Sequence, residues 1–121
     1  MKMPISEILD RYTITKLKSE RTTEDVKEEL DSYRKEIDKY SDNRVNKYIK
    51  KLYDVNGRLW DTEGDIRKGK KLTLEEVGKL ALKVRDLNCE RNGIKAEVVD
   101  EFSEGFKEIK INYKKVNYGR S

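Results

Sequence analysis

Histidine is absent from this sequence. That excludes an imidazole base, the histidine-containing catalytic triads and histidine-ligated zinc. Cysteine occurs once, as Cys89, so no disulfide can form within the chain and a reducing compartment is the simpler expectation. The residues around Cys89 are mixed in charge and supply no cationic partner that would generate a thiolate, so an inert, half-buried thiol is expected. Long apolar runs are also missing, the longest being Leu80-Ala81-Leu82. With no apolar run near the N-terminus either, the sequence predicts neither a signal peptide nor a membrane span, and a cytoplasmic location.

Apolar residues are themselves scarce, at 35% against 43% charged. A chain of 121 residues fits one domain. So thin an apolar content favours a narrow helical seam or an oligomer over a sandwich or barrel. The formal charge of +4 is unevenly placed: between Phe106 and Ser121 stand Lys107, Lys110, Lys114, Lys115 and Arg120 against Glu108 alone. That accounts for the whole excess, so the rest of the chain carries no net charge and no basic face is predicted on it.

What the chain does have is helical periodicity. At about 100° per residue, Ile5, Ile8, Leu9 and Tyr12 share one face of a first helix, which Ser6 is placed to cap, and Ile14 and Leu17 fall nearly opposite. Such a two-faced helix is expected to pack on the bundle with one side and on the C-terminal tail or another subunit with the other. After the cap-like cluster Thr22–Asp25, Val26, Leu30, Tyr33, Ile37 and Tyr40 recur at coiled-coil spacing. Residues 41–43 break or kink the run. Val45, Ile49, Leu52, Asn56, Leu59, Glu63 and Ile66 form the next seam. Gly57 and Gly64, on one flank of it, are expected where a backbone or a ligand approaches closely. Gly69–Lys71 ends that helix. Thr73 and Glu76 then make a capping box, with Leu72 and Val77 placed as a hydrophobic staple. The last helix has the seam Val77, Ala81, Val84, Asn88, Arg91, Lys95, Val98 and Phe102, widened by Leu80, Leu87 and Ile94, and Gly105 is its expected stop. The prediction is all-α: an antiparallel bundle or long helical hairpin of three to four helices spanning residues 1–105. A basic tail, 106–121, follows, extended or strand-like because Ile109, Ile111 and Tyr113 alternate with polar residues.

The unusual feature is a polar belt on stripes that should be apolar. A short loop makes the last two long helices an antiparallel hairpin, bringing Asn56 level with Asn88 and Leu52 level with Arg91. Glu63 then falls beside Leu80 and Ala81, with Arg67 as its intrahelical partner. Asn56, Asn88, Arg91 and Lys95 cluster at the end away from the loop, where Trp60 can wall them. The simpler account is structural: a buried Asn pair fixes register, and Arg and Lys stems snorkel out of the seam. The sharper account is a ligand pocket of Asn56, Trp60, Glu63, Arg67, Asn88, Arg91 and Lys95 for a small anionic or sugar-like ligand. No pair of carboxylates stands out for acid–base work, so no catalytic residue, metal or cofactor is assigned. The tail interleaves lysines with Tyr113 and Tyr118, a weak nucleic-acid signal.

The same blocks carry a family resemblance. Glu7-Ile8-Leu9-Asp10-Arg11-Tyr12-Thr13-Ile14 with Lys18, Glu20 and Arg21, then Val55-Asn56 with Leu59-Trp60-Asp61, Glu63 and Asp65-Ile66-Arg67, then Leu87-Asn88, Arg91 and Ile94-Lys95, resemble the domain-of-unknown-function family DUF6165. The likeness covers roughly residues 5 to 113. It departs at Thr15, where an aliphatic is usual, and in the Lys- and Tyr-rich extension. It implies a small helical protein and marks the same belt, and it implies no activity. An excess of Lys over Arg with many Tyr and Asn points to an AT-rich source such as a phage. The function expected is a non-catalytic helical binding or assembly module, a homo-oligomer or partner of another protein. The alternatives are an accessory or enzymatic domain binding a phosphorylated or sugar-like ligand, and a weak nucleic-acid binder through the tail.

Overall fold

Pro4 opens the first helix. With no N–H of its own to satisfy, it loses nothing at a helix start, and its carbonyl accepts the amides of Glu7 and Ile8, each at 3.0 Å. The computed structural model describes residues 3–40, 42–68 and 71–102. Within them run four helices: α1 (Ile5–Arg21), α2 (Lys27–Asp38), α3 (Arg44–Arg67) and α4 (Leu74–Phe102). The chain is all-α, and no strand occurs among the described residues. Ser6 is not the cap of α1. It lies buried inside the first turn, because the chain turns helical directly after Pro4.

Side chains that compete for backbone groups set the remaining boundaries. Thr22 ends α1 by donating its hydroxyl to the Lys18 carbonyl at 2.7 Å. It also accepts the Glu24 amide, while Asp25 accepts that of Lys27. Helix α2 stops at Asp38, and Asp42 accepts the Arg44 amide at 2.9 Å to start α3. The interruption there is a true break between two helices. The capping box forms in full, with Thr73 N to Glu76 Oε1 and Glu76 N to Thr73 Oγ1 both at 3.1 Å. The expectations for Ser41, Gly69, Lys70, Gly105 and the tail, 106–121, fall outside the described residues, and with them the proposed division at 105.

Helix α1 is the centre of the fold and packs against α2, α3 and α4. Its first face buries Ile5, Ile8, Leu9 and Tyr12, and Leu17 on the other side is fully buried as well. Ile14 on that same side stays half-buried, and the tail expected against this face lies outside the described residues. Ile37 from α2, Val45, Tyr48, Leu52, Val55 and Leu59 from α3, and Leu87, Ile94 and Val98 from α4 complete the core. Each fully buried aliphatic among them contributes roughly 1.5–3 kcal/mol by leaving water.

Helices α3 and α4 run antiparallel, stitched on one edge by Arg58–Glu90 at 2.9 Å and Lys51–Glu97 at 3.3 Å. Burial stops short of their connection: from Glu63 to Asp86 no described residue is buried. That stretch is a two-helix arm with Leu74 and Leu82 exposed at 93% and 51%. Ala81, expected in the seam, is exposed there, and so is Cys89, expected half-buried. No described helix is long and apolar enough to cross a membrane.

Candidate functional site

The site grows from Asp10, a carboxylate on the inward face of α1 that is 1% exposed. An isolated charge so deeply placed would cost several kcal/mol, so it must be paired. Arg91 of α4 clamps it in bidentate fashion, Nε to Oδ1 at 3.0 Å and Nη2 to Oδ2 at 2.5 Å. Lys95, one turn on, lies 3.8 Å from Oδ2 and 2.6 Å from Glu7 Oε1. From α3, Asn56 donates through Nδ2 to Asp10 Oδ1 at 3.0 Å and to Thr13 Oγ1 at 2.9 Å. Thr13 in turn donates to the Asp10 carbonyl at 2.7 Å. Three helices are thereby joined through one carboxylate.

Burial pushes the Asp10 carboxyl up. The hydrogen bonds from Arg91 and Asn56, with the charges of Arg91 and Lys95, outweigh that and hold it below its ordinary value of 3.8. The reciprocal hydrogen bond raises Arg91, against the opposing effect of its partial burial. Asp10 is therefore a fixed anion, held and half-neutralised by its neighbours, and a poor proton acceptor.

Beside this platform opens a cleft of about 350 Å³ between α1, α3 and α4. Ile14, Leu17, Leu59 and Trp60 form its apolar wall, and Asn56, Glu63, Arg67, Asn88 and Arg91 its polar lining. Six of the seven candidate residues named from the sequence line one cleft. The seventh, Lys95, does not; it joins Asp10 and Glu7 instead. Trp60 and Asn88 are half-buried, whereas Glu63 and Arg67 are exposed. Two expected details are different. Asn56 does not pair with Asn88, because Asp10 and Thr13 already engage its amide hydrogens. Glu63 and Arg67 form no ion pair with each other among the described residues, and both face the cleft.

The two glycines of α3 are not sites of close backbone approach. A Cβ on Gly57 would meet Arg21 Nη2 at 3.6 Å and Leu17 Cδ2 at 3.9 Å, and one on Gly64 would meet only Arg67 Nη2 at 3.9 Å, which are ordinary contacts. Sequence reasoning missed Glu7, Asp10 and Thr13 as members of the site. The available signal was a charged residue beside Leu9 on a helix that is apolar on two sides: Asp10 had no outward face to occupy. Among the described residues, no group of three or more cysteine or carboxylate side chains converges as a metal site. No family model, curated protein or solved structure matches this chain.

Proposed function

We propose that the protein is a non-catalytic helical binding module whose recognition site is the cleft between α1, α3 and α4. One observation carries this reading: amide, aromatic, carboxylate and guanidinium groups from two helices line a single concavity. The Asp10–Arg91–Asn56 network holds it rigid from below. Preorganised polar groups beside an apolar wall are the usual composition of small-molecule sites. Register alone would be served by the buried network and does not require Trp60, Glu63, Arg67 and Asn88 to face the same opening. The clamped state of Asp10 supports binding over proton transfer. Asn88→Ala tests the reading: it should leave the thermal unfolding temperature of the free protein nearly unchanged and abolish stabilisation by any small molecule found to bind. Retention of that stabilisation would place the ligand elsewhere.

A second reading, assembly with another copy, is favoured by the arm from Glu63 to Asp86. Two helices of that length bury too little to be stable alone, and Leu74 and Leu82 are left open on them. Light scattering at tens of micromolar checks it. A dimer that Leu82→Lys converts to monomer supports assembly, and a wild-type monomer removes it.

A further inference from the structure

We infer that the cleft takes a neutral, hydroxyl-bearing ring, a sugar unit, and not a phosphate group. The inference rests on the cleft being the binding site and concerns the class of ligand. A phosphate offers only acceptors and negative charge, so its sites present a surplus of cations and donors. This cleft has no such surplus. Arg91 is clamped by Asp10, and Lys95 is held by Glu7 at 2.6 Å, away from the opening. Arg67 is the remaining cation in the lining, and Glu63 on the same wall offsets it.

The acceptors decide the matter further. Asn56 has its amide group turned to Asp10 and Thr13, so its contribution to a ligand is the carbonyl Oδ1. Glu63 when ionised only accepts, Asn88 both accepts and donates, and Arg67 and the Nη1 of Arg91 donate. A hydroxyl group is donor and acceptor at once, so a ring bearing several of them can satisfy this mixed lining, whereas phosphate oxygens would face carbonyl and carboxylate oxygens. The half-buried Ile14 and Trp60 indole of the apolar wall suit the C–H face of such a ring. A volume of about 350 Å³ lies at the small end of ligand cavities, fit for one or two rings.

Trp60 is the single tryptophan of the chain, so its fluorescence reports on the cleft alone. The experiment titrates the full chain with methyl glucoside, galactose, N-acetylglucosamine, glucose 6-phosphate and inorganic phosphate. It follows Trp60 emission, with saturation-transfer NMR on the ligand protons. The expected result is a saturable change with at least one neutral sugar and none with inorganic phosphate. Glu63→Ala, at an exposed position that leaves folding intact, should weaken the sugar by about tenfold, the effect of losing one good hydrogen bond. A response to inorganic phosphate without a response to the neutral sugars would overturn the ligand class and leave the cleft as a binding site. Silence of Trp60 towards all five would overturn the sugar class, and the binding reading would then stand or fall on the Asn88→Ala test.

Discussion

Asp10 and Arg91 lie 81 residues apart and meet through two hydrogen bonds, at 3.0 and 2.5 Å. The Asp10 side chain is almost fully buried, whereas that of Arg91 retains 27% exposure. Their asymmetry makes Arg91 the more costly loss. Removing it leaves a buried carboxylate with one hydrogen bond from Asn56 and Lys95 at 3.8 Å, whereas removing Asp10 leaves a partly exposed guanidinium, and Lys95 keeps Glu7. Arg91→Ala should therefore destabilise the protein by about 3–5 kcal/mol, the range for stranding a buried charge. Asp10→Ala should cost less. Urea unfolding of both variants gives the comparison, and a larger loss in Asp10→Ala would show that burial of the carboxylate does not set the cost.

The same network predicts a pH dependence. Because the Asp10 carboxyl is held below 3.8 in the folded state, its stabilisation is complete above that value. It is lost as pH falls from there through the lowered one. Asp42, lowered by its hydrogen bonds to Arg44, acts in the same direction at the surface. The stability gap between wild type and Asp10→Asn should be constant at neutral pH and shrink below about pH 4. A gap that stays constant into strong acid would contradict the pairing.

Asn56 distinguishes amide from carboxylate. Asn56→Asp places a second carboxylate against Asp10 and removes two donated hydrogen bonds, so it should cost more than Asn56→Ala, for which about 1–3 kcal/mol is expected. In the Asp variant the pair should take up a proton at a pH well above the ordinary carboxyl range. Calorimetric measurement of proton uptake on refolding detects it.

The arm can be weakened without touching the bundle. Thr73→Ala removes one half of the capping box and should cost about 1 kcal/mol locally. Hydrogen exchange should then quicken across Leu74–Asp86 and remain slow at Leu9, Leu52 and Val98. Uniform quickening would mean that arm and bundle unfold as one unit.

Glycines on α4 give the opposite sign. A Cβ at Gly78 or Gly93 meets nothing within 4 Å, so alanine at either position should stabilise by roughly 0.5–1 kcal/mol through helix propensity and lost unfolded-state freedom. A gain in thermal unfolding temperature checks this. A loss at Gly93, which lies two residues beyond Arg91, would reveal a role for the bare backbone there.

Periodicity by itself determined that the chain is helical and that Asn56, Glu63, Asn88 and Arg91 fall on the seams of the last two helices, and local spacing gave the capping box at Thr73. These are local properties: a 3.6-residue repeat assigns each side chain to a face, and a cap needs only its own neighbours. The sequence could not say what those faces meet. That depends on how α1 lies across the hairpin, which is decided by packing among three helices at once. Tertiary structure alone placed Asp10 between Asn56 and Arg91, sent Lys95 to Glu7, buried Leu17 along with the first face of α1 and left Cys89 exposed. A carboxylate in a helical stripe carries no local sign of which distant cation will neutralise it, because the pairing energy exists only once the fold has excluded the water between them.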